Sequence, residues 1–316
     1  MQGELKIFSG SSNQPLATEI AKSIGIPLSK LEISRFSNDN LFVQIRENVR
    51  ERDVFVVQSL TEPVSDHIME LFIILDALRS ASAARITAVI PYYSYARSDK
   101  KDAPRISIAG RLMADLIKTA GANRVLTMDL HADSVHGFFS MPVDHLTAIP
   151  FFKTYFKDNL DLGNAVVVAT DAGGAKRAGK FAKTLQVPMA IIDKRRVDDT
   201  KVVQGLVVGD VKGRDAIVFE DEISTGGTLA TSIRTLTKAG VGSIYVGATH
   251  AVLCGPAVKR LDTPEVAEVV VTNTVDISKE KRINKLKVLS VAPLMAEAIR
   301  RIHTGESVGA LFSVRP

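Results

Sequence analysis

Three carboxylates, Glu220, Asp221 and Glu222, stand just ahead of Ser224-Thr225-Gly226-Gly227-Thr228. Glycines let a backbone close on a phosphate, and hydroxyls add hydrogen-bond donors. Carboxylates beside a phosphate repel it unless they bind sugar hydroxyls or a metal ion. The stretch therefore suggests a sugar phosphate. A plainer reading is a βα turn with an N-cap threonine, and Gly-Gly alone would favour it. The acidic run puts ligand binding ahead.

The surrounding pattern says how these residues are held. An apolar, β-branched run at 216–219 leads into the carboxylates. After the glycines, Leu229, Ile233, Leu236 and Ala239 recur at helical spacing, and Gly240 is a stop. Strand, loop and helix place the glycines at a helix N-terminus, where free N–H groups and the helix dipole attract an anion. The acids fall where strand C-termini meet ligands in open α/β sheets.

Other chemistry-bearing residues also sit in loops that follow strands. Ser12 or Asn13 with Pro15 opens a helix that Gly25 closes. A strand at 31–34 leads into Arg35-Phe36-Ser37-Asn38-Asp39-Asn40, and Leu41, Val43 and Ile45 alternate as an exposed strand does. A buried strand follows at 54–58, then an apolar helix at 67–80 capped by Asp66. A strand at 85–93 runs into Ser94-Tyr95-Ala96-Arg97-Ser98-Asp99-Lys100-Lys101-Asp102. A helix over about 107–119 stops at Gly121, and a strand at 125–129 delivers Leu130-His131-Ala132-Asp133. The strand at 165–169 meets Thr170-Asp171-Ala172-Gly173-Gly174-Ala175-Lys176-Arg177 and a helix to Leu185. A strand at 189–192 meets Asp193-Lys194-Arg195-Arg196 and a polar loop. Strands near 244–249, 266–272 and 287–291 precede a helix at 294–303 that ends at Gly305.

Strands alternating with helices predict parallel sheets. A chain of 316 residues suits two domains. Ala120-Gly121 is followed, eleven residues after the alanine, by His131-Ala132, and Ala239-Gly240 is followed at the same spacing by His250-Ala251. This weak repeat favours two copies of one α/β domain, 1–149 and 150–305, with a tail at 306–316. In that alignment the loop at 97–101 corresponds to 224–228.

Net charge is +5 and the pI about 9.2. No long Lys/Arg run with interleaved aromatics appears, so the short basic clusters fit polyphosphate ligands better than nucleic acid. The one cysteine, Cys254, excludes an internal disulfide and fits a reducing compartment. No apolar run approaches a membrane span, and the chain enters a strand at once. The expectation is a soluble cytoplasmic protein.

The 220–228 loop resembles the ribose-5-phosphate loop of the phosphoribosyltransferase superfamily, with Ser224 where an aspartate is usual. Taken with 95–102, 129–132, 137–139, 171–177 and 296–301 in this order, the chain resembles the ribose-phosphate diphosphokinase family over about 7–312. The resemblance implies two phosphoribosyltransferase-like domains, each a mostly parallel sheet flanked by helices. It implies transfer of diphosphate from Mg-ATP to the C1 hydroxyl of ribose 5-phosphate, giving phosphoribosyl diphosphate and AMP, with Mg²⁺ as cofactor. It places Phe36, Asn38 and Asn40 at the adenine site, with Asp39, Arg97, Ser98 and Asp102 among the ATP contacts. His131 and Asp171 fall on Mg²⁺ ligands, and Lys194 and Arg196 on two cations of a catalytic loop. Glu220, Asp221, Ser224, Thr225, Gly226, Gly227 and Thr228, with Arg196, fall on the ribose-5-phosphate site. A homo-oligomer, usually a hexamer, is also implied. Asn40 and Ser98 depart from the commonest pattern, where a glutamate and a glutamine stand. The rival readings are a phosphoribosyltransferase and a catalytically silent regulatory subunit of the same fold.

Overall fold

Short strands, most of them handed to a helix, build the chain. The computed structural model describes residues 3–193 and 205–312. These residues group into two units, treated separately below.

In the first unit, β1 (Leu5–Ser9) feeds α1 (Gln14–Ile24). The Asn13 side chain caps α1 by accepting the Leu16 N–H at 3.2 Å, and Gly25 ends it at φ 86°. β2 (Leu31–Arg35) and β3 (Leu41–Ile45) form a separate antiparallel hairpin. β4 (Asp53–Val57), α2 (Val64–Ser80), β5 (Arg85–Ile90), α3 (Ala109–Ala120), β6 (Arg124–Met128) and β7 (Val143–Leu146) follow. The main sheet runs β1-β4-β5-β6-β7, all parallel. Every residue of β4 is buried, as a parallel strand covered on both faces requires. Leu31, Ile33, Val43 and Ile45 of the hairpin pack into a core with Ile68, Leu71 and Leu75 of α2 and Met113 and Ile117 of α3.

Asp66 is not the cap of α2. The helix begins two residues earlier, after Pro63, with no side-chain cap. A proline there presets φ near −74° and has no N–H to satisfy. Asp66 lies in the first turn and pairs with Arg35 at 2.9 Å.

The second unit contains α4 (Ile149–Asn159), β8 (Ala165–Ala169), α5 (Ala175–Leu185), β9 (Met189–Asp193), β10 (Leu206–Val208), β11 (Asp215–Ile223), α6 (Gly227–Lys238), β12 (Ile244–Ala251), α7 (Ala257–Leu261), β13 (Val266–Thr272) and β14 (Leu286–Leu289). Strand order is β10-β9-β8-β11-β12-β13-β14, parallel except for β10 against β9. β8 crosses over through α5 to β9 on one side, and β11 through α6 to β12 on the other. Right-handed crossovers in opposite directions put the two helices on opposite faces. The packing agrees. Val218 joins a core with Leu229, Ile233 and Leu236 of α6, and its neighbour Phe219 stacks on Phe181 of α5 at 4.1 Å. The sheet therefore reverses its winding between β8 and β11, and a crevice opens outside their C-terminal ends.

The chain then returns to the first unit. α8 (Ala292–Thr304) packs on α1, and α9 (Gly309–Phe312) lies by β7. The contacts thus group 290–312 with the first unit rather than with 150–305, because the apolar side of α8 is buried against α1. Arg85 and His303 both bind the buried Asp53 carboxylate, His303 at 2.7 Å, and Arg85 also donates to the Ile302 carbonyl at 2.9 Å. This ties the end of α8 to β4 and β5. No helix of the described residues is long and apolar enough to cross a membrane.

Candidate active site

The winding reversal of the second unit gathers the residues singled out at 170–171 and 220–228. β11 continues through the carboxylates to Ile223, past the end of β8. Glu220 and Asp221 therefore lie beyond the last rung shared with β8, at the crevice, with their side chains on alternate sides of the strand. Asp221 is 3% exposed and accepts from Arg177 Nη1 at 2.9 Å. The same nitrogen lies 3.5 Å from Glu220, which also accepts a hydrogen bond from the Thr170 hydroxyl. Asp171 closes the turn before α5 by accepting the Gly174 N–H at 3.0 Å.

Burial pushes the Glu220 carboxyl up from its ordinary 4.5. The Thr170 hydrogen bond opposes that rise, the Asp221 charge adds to it, Arg177 opposes it, and Asp171 adds again. Among the described residues the contacts of this cluster set Glu220 and Asp221 against one guanidinium, a balance that favours hydroxyl donors and cations.

The helix that follows supplies the opposite preference. Gly226 caps α6 at φ 68°, and no side chain caps the helix. The N-cap threonine of the plainer reading is therefore not formed. The first N–H groups of α6 have no intrahelical acceptor, and the helix dipole makes them an anion site. The loop is braced from behind. Leu253 and Cys254 donate their N–H groups to the carbonyls of Ile223 and Ser224, at 2.9 and 3.0 Å. Arg260 Nη1 donates to the Thr225 carbonyl at 2.8 Å. A Cβ on Gly227 would stand 3.5 Å from that same nitrogen, an ordinary contact.

The first unit carries the other candidates. Phe36, Asn38, Asp39 and Asn40 occupy the tip of the β2–β3 hairpin. The tip is closed by Phe36 N–H to the Asn40 carbonyl and Asp39 N–H to the Phe36 carbonyl, both at 2.9 Å. Asp39 takes φ 68° and pairs with Arg35 at 2.9 Å. Phe36 is 57% exposed, its ring edge-on to Phe42. An aromatic held by its hairpin yet open to solvent can stack on a base. The Asn38 side chain accepts the Asn40 N–H at 3.3 Å.

Arg97 and Asp102 are exposed on the β5–α3 loop. Ser98 has a structural task there: its hydroxyl donates to the Ser107 carbonyl and accepts the Ala109 N–H, each at 3.1 Å. It thereby pins the loop to the start of α3. His131 is half-buried on the loop after β6, next to Leu130, whose N–H donates to His145 Nε2 at 2.8 Å. Ser134 donates to Asp99 at 2.9 Å, joining the loops after β5 and β6. His250 differs from His131, being 3% exposed inside β12. His131 and Asp171 belong to different units. Lys194 and Arg196 lie outside the described residues. Among the described residues no cluster of three or more His, Cys, Asp or Glu is set to hold a metal.

Thr170, Arg177 and Arg260 escaped the sequence reading as site residues. The first two stand inside the motif around Asp171, and only the fold shows that they reach Glu220 and Asp221. Arg260 carries no sequence signal, because its role depends on α7 packing beside α6.

Two family models match this chain: the N-terminal domain of ribose phosphate pyrophosphokinase over residues 5–121, and the phosphoribosyl synthetase-associated domain over 202–313. A Deinococcus radiodurans protein named ribose-phosphate pyrophosphokinase is 51% identical over 313 residues, 98% of each chain. This chain belongs to the ribose-phosphate pyrophosphokinase family. A Clostridium acetobutylicum member of that name is 50% identical over 309 residues, covering 98% of this chain and 97% of its own. The crystal structure of phosphoribosylpyrophosphate synthetase from Mycobacterium smegmatis superposes with a TM-score of 0.91 at 41% identity. It covers 96% of this chain and 99% of that one. Relatives of that name thus match this chain nearly end to end, which does not suit a single-domain phosphoribosyltransferase.

Proposed function

We propose that the chain transfers diphosphate from Mg-ATP to the C1 hydroxyl of ribose 5-phosphate, releasing AMP and forming 5-phosphoribosyl 1-diphosphate. One observation carries the reading: an uncapped helix N-terminus at Gly226 stands beside the Glu220–Asp221 pair at the winding reversal. N–H groups for a phosphate and carboxylates for hydroxyls, side by side, describe a sugar phosphate. In this reading the 224–228 loop holds the 5-phosphate and the acidic end of β11 holds the ribose hydroxyls. The sugar C1 oxygen attacks the β-phosphorus, and the bond to the AMP oxygen breaks in line. Positioning and charge neutralisation supply most of the acceleration.

The hairpin tip at Phe36, Asn38, Asp39 and Asn40 is assigned to adenine, and Arg97, Ser98 and Asp102 to the rest of ATP. With the Ser98 hydroxyl committed to α3, its contribution is to hold Arg97 in place. Lys194 and Arg196 are assigned to the transferring phosphates, with Arg196 also near the ribose phosphate. His131 and Asp171 are the assigned Mg²⁺ residues. One carboxylate, that of Asp171, with substrate phosphates and water suits a hard octahedral cation. When bound, Mg²⁺ neutralises phosphate charge. The proposal extends to a cytoplasmic homo-oligomer.

The deciding experiment incubates the full chain with Mg-ATP and ribose 5-phosphate and follows both products. AMP and phosphoribosyl diphosphate in equal amounts are expected. A folded chain that forms neither is the silent regulatory subunit. A chain that consumes phosphoribosyl diphosphate with a base is the phosphoribosyltransferase.

A further inference from the structure

The two carboxylates at the end of β11 are not equivalent, and Arg177 makes them so. Its Nη1 is 2.9 Å from Asp221 and 3.5 Å from Glu220. The first is a charge-assisted hydrogen bond; the second is an ion pair beyond hydrogen-bond length. The Asp221 side chain is 3% exposed, so turning it toward a ligand would break a buried charge-assisted pair. Glu220 is 15% exposed and accepts its hydrogen bond from a neutral hydroxyl, Thr170. It can exchange that contact for a sugar hydroxyl without stranding a charge.

We propose that Arg177 is a positioning residue for the transfer: it fixes Asp221 as a buried anion and thereby leaves Glu220 as the carboxylate that accepts the ribose hydroxyls. The inference rests on the reading of this crevice as the ribose-5-phosphate site. Arg177 acts through the carboxylates and does not itself meet the sugar. Its placement in the first turn of α5, reaching across to the neighbouring β11, is what the winding reversal permits. Its charge also lowers the negative potential that a dianionic sugar phosphate encounters on approach.

The test measures steady-state KM and kcat of the full chain for each substrate, with the other saturating. Arg177→Gln should raise KM for ribose 5-phosphate at least about tenfold and leave KM for ATP within about twofold. Arg177→Lys keeps the charge without the planar fork and should recover most of that loss. Glu220→Gln should raise KM for ribose 5-phosphate in the wild-type background by about tenfold or more, as loss of a direct contact does. Asp221→Asn should cost little once Arg177 is Gln, because the two act as one unit. If Arg177→Gln does not fold, the Arg177→Gln/Asp221→Asn double variant, which has no stranded buried charge, replaces it with the same expectation. A wild-type KM for ribose 5-phosphate in whichever of these folds, or interchangeable effects of Glu220→Gln and Asp221→Asn, overturns the division of roles. Should the wild-type chain itself form no AMP from ATP and ribose 5-phosphate, the functional reading fails instead, and the two failures are told apart by that control.

Discussion

Lys194 and Arg196 are two residues apart in sequence, a spacing that an extended conformation would turn to one side, with Arg195 on the other. Cations that act on the transferring phosphates in the closed arrangement affect kcat more than KM. Lys194→Ala and Arg196→Ala are each expected to lower kcat at least about a hundredfold, roughly 3 kcal/mol. Arg195→Ala should change it far less, and nucleotide binding without turnover should survive in both damaging variants. Equal damage from all three would show that the triplet is only a basic turn. The same scale explains Ser98. As a hydroxyl already bonded at both ends, it reads as an anchor of the β5–α3 loop, and the residue type alone did not announce that.

At the level of elements, the decisive feature is how α6 begins. Gly226 takes φ 68°, a conformation that costs a side-chain-bearing residue roughly 1–2 kcal/mol. A Cβ there would stand 3.5 Å or more from its nearest neighbours, an ordinary contact. The cost of Gly226→Val is therefore conformational rather than steric crowding. The variant should fold, with a somewhat lower Tm, and show KM for ribose 5-phosphate raised by about tenfold as the N–H groups turn from their acceptor. Unchanged KM with a lowered Tm would mean that the α6 N-terminus does not hold the phosphate. Helix α8 supplies an electrostatic case. Hydrogen bonds from Arg300 and then Arg301 hold the Glu297 carboxyl down at about 2, from an ordinary 4.5. A depressed folded value means stabilisation that is present above about 4.5 and fades as pH falls toward about 2. The side chain is 34% exposed, so solvent screens the pairs and the effect is small. The Tm difference between the wild-type chain and Glu297→Gln should shrink over that interval. A difference independent of pH would assign the effect to helix propensity or packing.

On the scale of the molecule, the first unit is discontinuous in sequence: it is completed by residues 290–312. Met295 and Ile299 of α8 are fully buried, as are Leu16 and Ile20 of α1. Met295→Ala should cost about 2–5 kcal/mol, the range for large-to-small changes in a packed core. Thermal unfolding followed separately at a probe in each unit checks where that loss falls. The unit containing α1 and β4 should unfold earlier, and the unit containing β11 should be unaffected. Loss confined to the second unit would contradict the grouping of α8 with α1.

Much was legible because some determinants are local. The Asn13 cap, the Gly25, Gly121 and Gly305 stops, and the fully apolar strands at 54–57 and 165–169 are written in residue type and spacing. So is the glycine-and-hydroxyl loop after a strand. Strand-helix alternation then fixed parallel sheets, since a parallel pair needs a crossover. What residue order could not decide is which elements meet. Asp66 had the right type for a cap, but Pro63 began α2 earlier and Arg35, across the hairpin, claimed the carboxylate. The winding reversal between β8 and β11 came only from strand order, and it alone brings Arg177 and Thr170 to Glu220 and Asp221. Contacts between residues 44 and 50 positions apart leave no periodic trace. The same holds for α8, whose apolar stripe states that it must be covered but not that α1, near the other end of the chain, covers it. Local structure follows from backbone sterics and hydrogen bonding within a few residues. The choice of partner follows from which arrangement buries all the apolar faces at once, and only the folded chain makes that choice.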